Sequence, residues 1–98
     1  MVVGVLIADL LLGDVHSLKA KRAVLRPLLA ALRRFDVSAG QTGLQELHRR
    51  AQLSVALVAP DQAHARQVLD RCERLLADNP ETTLLSTRQR IVTDEDLL

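Results

Sequence analysis

The sequence predicts one domain of the α+β class. Three observations carry that prediction. Two runs rich in Val, Ile and Leu, Val2–Leu12 and Gln52–Ala59, suit interior strands. Two other segments repeat their apolar residues at helical spacing. The order along the 98 residues is strand, helix, strand, strand, helix, strand. A chain of this length makes a single domain, near the lower end of what folds without disulfides or metal. Its 48% apolar and 26% charged residues argue against wholesale disorder.

In Val2–Leu12 apolar residues occupy both alternating sets, as in a central strand. Asp9 shares a face with Val3, Val5, Ile7 and Leu11, so Leu6, Ala8 and Leu10 are expected to face the helices, because an unpaired buried carboxylate is costly. Gly13 and Asp14 break the strand, and Ser17 stands at a helix N-cap position. Leu18, Val24, Leu25, Leu28, Leu29 and Leu32 follow at helical spacing, with Lys19, Arg22, Arg26 and Arg33 on the other side. Pro27 predicts a kink near Ala23, or a short turn followed by a helix that begins near Arg26.

Phe35 to Thr42 reads as a second strand interrupted by Ser38 and Gly40, and Leu44 to Arg50 as a polar connection able to form a helical turn. Gln52 to Ala59 is a second central strand, with Leu53, Val55 and Leu57 on one face. Asp61 caps a helix whose apolar stripe is Ala65, Val68, Leu69, Cys72, Leu75 and Leu76, and Asp78, Asn79 and Pro80 end it. Thr82 to Val92 has the mixed polarity of an edge strand, and residues 93–98 form an acidic tail expected to fray. Two β-α-β halves joined this way give a ferredoxin-like βαββαβ sandwich over residues 1–92: a four-stranded antiparallel sheet, two helices on one face, and the first and third strands in the centre.

The net charge is only +1, so no global field draws the chain onto nucleic acid. The distribution is uneven: Val15 to Phe35 holds six Lys or Arg residues and no Asp or Glu. Lys19, Lys21, Arg22 and Arg26 crowd the helix start, where free N–H groups also favour anions, and are the candidates for contacting RNA phosphates. Arg49, Arg50, Arg88 and Arg90 extend that footprint only if the fold brings them near. The alternative for all of these is the solvated face of an amphipathic helix. With no Trp, no Tyr and one Phe, the chain lacks the rings that stack bases on an open sheet.

No catalytic constellation or metal spacing is present, and no cofactor is implied. His16, His48 and His64 match no ligand pattern, and Cys72 falls on an apolar stripe, where it packs as a small hydrophobe. A single cysteine fits a reducing compartment, and Val2–Leu12 is too short and too poorly flanked to span a membrane or act as a leader, so the expectation is a cytoplasmic protein. Val3, Val5, Ile7 and Leu11 make the outer sheet face unusually apolar, which marks a homodimer or partner surface.

The opening VVGVLIADLLL, then HSLKAKRAVLRPLLAALRRFDVS and RRAQLSVALVAPDQAHARQVLDRCERLL, resemble the YlxP-like family of short uncharacterised bacterial proteins over nearly the whole chain. The most specific segment is Ser17 to Leu28, SLKAKRAVLRPL, which is similar to the family's Ser-Leu-Lys-x-Lys-Arg run. The resemblance implies a ferredoxin-like fold, tolerance of Pro27, and an RNA-linked role, since members are often encoded near translation and ribosome-maturation factors. It implies no catalytic residues. Ser38 to Ala51 departs from the usual pattern, with Gly40, Gly43 and Leu47 where relatives are more acidic or aromatic.

The function expected from these readings is a non-enzymatic accessory protein that binds structured RNA or a ribonucleoprotein through the first helix. The alternative is a homodimeric protein-interaction or small-ligand module that uses the apolar sheet face. An acylphosphatase-type enzyme shares the topology, but its glycine-rich, arginine-bearing phosphate loop is missing.

Overall fold

The computed structural model describes residues 1–98. Strand β1 (Val2–Leu12) leads into helix α1 (Leu18–Arg33), strands β2 (Ser38–Gly43) and β3 (Arg50–Ala59), helix α2 (Gln62–Asp78), strand β4 (Thr82–Thr93) and a single helical turn α3 (Asp94–Leu97). The sheet order is β2-β3-β1-β4 with every pairing antiparallel, so the fold is ferredoxin-like with β1 and β3 in the centre. No helix is long and apolar enough to cross a membrane.

Parity decides what lies inside. Val2, Leu6, Ala8, Leu10 and Leu12 of β1 are buried beside Leu53, Val55 and Leu57 of β3, while Val3, Val5, Ile7, Asp9 and Leu11 remain partly exposed on the face away from the helices. Leu25, Leu28 and Leu32 of α1 and Val68, Leu69, Cys72 and Leu76 of α2 close the core from the other side. Gly4 packs tightly under α2 and beside β3: a Cβ there would lie 3.0 Å from a Leu57 methyl and 3.1 Å from a Leu69 methyl.

Both helices start as their cap residues dictate. Ser17 Oγ accepts from the Ala20 N–H at 3.0 Å, and Asp61 Oδ1 accepts from the His64 N–H at 2.8 Å. Pro27 neither delays α1 nor divides it; one helix runs from Leu18 to Arg33 with the proline inside. Pro27 and Ala23 both face solvent, so water can satisfy the Ala23 carbonyl that the imide nitrogen leaves without a donor.

The second strand begins later than the sequence implied. Phe35, Asp36 and Val37 turn the chain out of α1, with Asp36 at φ 63°, a left-handed conformation that aspartate tolerates better than most residues. The expected helical turn across Leu44–Arg50 is instead a tight turn closed by the Leu47 N–H on the Leu44 carbonyl at 3.2 Å, with Leu44 at φ 60°. The acidic tail, expected to fray, forms the α3 turn. Its Asp94 N–H donates to the Met1 carbonyl at 3.1 Å, and the Met1 ammonium faces the Asp94 carboxylate at 3.4 Å.

The Gly4 contact yields a test. Gly4→Val would push a branched side chain into Leu57 and Leu69, and urea unfolding is expected to show a loss of about 1–3 kcal/mol.

Candidate functional site

The basic residues of α1 separate into two groups. Lys19, Arg22, Arg26 and Arg33 follow one another at intervals of three, four and seven residues, which puts them on one stripe of the helix about 21 Å long at 1.5 Å per residue. All four are exposed. The contacts of Met1 with Asp94, His16 with Asp14 and Arg50 with Asp9 involve none of them. Arg33 donates to the Ala39 carbonyl at 2.7 Å and so ties the end of α1 to β2.

Lys21 departs from the expected phosphate-binding set. It is 2% exposed, on the buried stripe that continues through Leu25, Leu28 and Leu32. Its ammonium donates to the Leu44 carbonyl at 2.7 Å and to the Leu47 carbonyl. Burial lowers the pKa of this lysine from the usual 10.5. The two carbonyls hold the turn in which Leu44 is left-handed, so the lysine is an internal clamp on the β2–β3 connection rather than a surface cation. One signal for this was present in the sequence: Lys21 precedes Leu25 by four residues and Leu28 by seven, which is the apolar register.

The anion-favouring N–H groups at the start of α1 are partly occupied, because Ser17 takes the Ala20 N–H. The other arginines do not extend the stripe. Arg49 Nε donates to the Gly13 carbonyl at 2.8 Å and fastens the end of β1. Arg50 pairs with Asp9 on the sheet face opposite the helices, and Arg88 and Arg90 lie on that same face through their register with Ile7 and Val5.

The apolar patch also divides. Val3, Val5 and Ile7 run beside Ala56, Val58 and Val92, and Val58 is 70% exposed. Leu11 is cut off from them by the Asp9–Arg50 pair and has Arg50 and Thr83 as neighbours. On the other layer, Val24, Pro27 and Phe35 of the α1 side and Arg71, Arg74 and Leu75 of α2 line an open groove of about 570 Å³. His16 is engaged with Asp14, and no three His, Cys, Asp or Glu side chains are grouped to hold a metal ion. Cys72 is buried, and desolvation pushes its thiol up to about 11.

Residues 3–89 match a protein family described as "Protein of unknown function (DUF503)". The chain belongs to this family. Consistent with DUF503 membership, it is 30% identical over 81 residues to the uncharacterized protein YlxP of Bacillus subtilis (strain 168), an alignment that covers 82% of this chain and 88% of that one. Two solved structures share the fold of this DUF503 protein. The de novo designed protein Foldit4 has a TM-score of 0.55 at 12% identity, covering 96% of this chain and 99% of that one. The de novo designed protein LFR1 1 with ferredoxin fold has a TM-score of 0.50 at 10% identity, covering 96% and 87%.

Two measurements check the buried polar groups. Lys21→Met keeps an apolar stem but leaves the Leu44 and Leu47 carbonyls without their donor. Urea unfolding should show a loss of about 1–3 kcal/mol, with faster hydrogen exchange at the Leu47 amide. For Cys72 the folded thiol ionises later than the unfolded one, whose ordinary value is 9.0, so the unfolded chain binds fewer protons as pH rises from 9.0 to about 11. Stability of the wild type should therefore fall across that window relative to Cys72→Ala.

Proposed function

We propose that this protein is a binding module, not an enzyme, and that it docks on the phosphate backbone of structured RNA or a ribonucleoprotein through Lys19, Arg22 and Arg26. The observation that carries the reading is the stripe itself: three exposed cations within three turns, on a helix with no Asp or Glu and no ion-pair partner for any of them. A helical stripe presents one cation about every 5 Å along its axis, a spacing suited to a repeating anion.

Two features favour a polyanion over a membrane surface. Leu25, Leu28 and Leu32 of α1 are spent in the core, which leaves only Leu18 and the groove at Val24 and Pro27 as apolar surface to enter a lipid interface. The helix that carries the stripe is also tied to the sheet, through the Arg33 bond to the Ala39 carbonyl. With no Trp or Tyr and Phe35 packed against the core, recognition would read backbone and shape rather than bases.

Titration of the full chain against ribosomal RNA at two salt concentrations tests the reading. Three phosphate contacts predict an affinity loss of about 20- to 40-fold between 50 and 200 mM salt. Arg22→Glu with Arg26→Glu should weaken binding at least about tenfold and flatten the salt dependence. Lys21→Met, which alters only the internal clamp, should leave the salt slope unchanged. Absence of binding, or indifference to the charge reversal, would overturn the proposal.

A further inference from the structure

We infer that the open sheet face is a self-association surface, and that its occupant is a second copy of this chain packed sheet to sheet. The inference is independent of the RNA reading and rests on different residues. The face carries Val3, Val5 and Ile7 beside Val58, an apolar strip that no element of the chain covers. At about 3.3 Å per residue and about 4.8 Å between strands, strands of 11, 6, 10 and 12 residues span about 600 Å². Two copies would then bury about 1,200 Å² in total, at the lower end of the range of stable specific interfaces.

The register and the charges select one arrangement. Two copies meeting face to face are related by a two-fold axis lying in the interface. With the axis across the strands, β4 lies over β4, and Arg88 and Arg90 of one copy confront the same arginines of the other, with no carboxylate among them. With the axis along the strands, between β1 and β3, each β1 lies over the other copy's β3. Because Val3 is in register with Val58 and Val5 with Ala56, apolar residues then meet apolar residues.

The same operation carries β4 over β2. Arg90 is level with Val5, Ala56 and Ser38, and Arg88 with Ile7, Ser54 and Gly40, so the two guanidiniums pass over a hydroxyl and a glycine. Gly40 has open space where a Cβ would stand, with no heavy atom within 4 Å. That space is where an arginine stem from the second copy would lie. The polar end of the face also fits, since Asp9 is already neutralised by Arg50 and presents no lone charge to the opposing sheet. Sheets stacked this way keep their strands within about 30° of each other.

Sedimentation equilibrium of the full chain over a range of concentrations tests the inference. The wild type should approach twice its 10.8 kDa mass. Val58→Glu, at a position already 70% exposed, should sediment as a monomer with unchanged circular dichroism and with a urea midpoint that, unlike that of the wild type, does not vary with protein concentration. Gly40→Arg, which fills the space over the edge strand β2 and adds a charge beneath Arg88, should weaken the dimer on the order of tenfold, as expected for a like-charge clash at the rim of an interface. A monomeric wild type overturns the inference, and so does a dimer that survives Val58→Glu. A dimer that is lost with Val58→Glu but indifferent to Gly40→Arg overturns the axis assigned here.

Discussion

Everything in this fold takes its position from β1. It is hydrogen-bonded on both edges, to β3 from Val2 through Leu11 and to β4 from Val2 through Leu12. Its alternation therefore sets both surfaces at once: Leu6, Ala8 and Leu10 define the side on which the helices must lie, and Val3, Val5 and Ile7 define the side they leave open. A slip of one residue would put Asp9 in the core and Leu6 in water, so the register is held by the cost of a buried carboxylate as much as by apolar burial. The open face and the outward basic stripe are two consequences of that single choice of side.

A second constraint works through backbone carbonyls. Lys21, Arg33 and Arg49 each spend their donors on main-chain oxygens: those of Leu44 and Leu47, of Ala39, and of Leu12 and Gly13. Side chains of this kind replace the hydrogen bonds that turns cannot make for themselves. They also reduce the apparent basicity of the surface. Six Lys and Arg residues between Val15 and Phe35 look like one electrostatic feature in the sequence, but in the folded chain Lys21 is an internal clamp, Arg33 a helix-to-strand tie, and Lys19, Arg22 and Arg26 a solvent-facing stripe.

The fold was legible because period and parity agree with topology: strands of period two, helices of period 3.6, caps at Ser17 and Asp61, and the two most apolar strands in the centre. What is not legible in the sequence is local and depends on distant groups. The stretch Leu44–Arg50 reads as a possible helical turn because nothing nearby announces that Lys21, more than twenty residues earlier, will fix its carbonyls. Pro27 looks like a helix breaker until Ala23 is seen to face water. For the candidate site, the shared stripe of Lys19, Arg22 and Arg26 follows from helical spacing, whereas the burial of Lys21 follows from its place in the apolar register and not from its charge. That the patch of Val3, Val5 and Ile7 does not extend to Leu11 required the Asp9–Arg50 pair, a cross-strand contact invisible in one dimension.

The pairing of β1 with β4 has a consequence in time. Val2 is bonded in register to Thr93, and the ladder between the two strands joins the first and last strands of the sheet. A nascent chain thus exposes its most apolar strand long before the segment that closes that strand's free edge has been made. Contacts so distant along the chain form slowly, because loop closure must precede the reward of pairing. During that interval β1 offers an open edge and an apolar face to any other extended chain. Until then β3, which pairs with β1 from Val2 to Leu11, covers one edge of that strand, and the other edge stays open to mispairing.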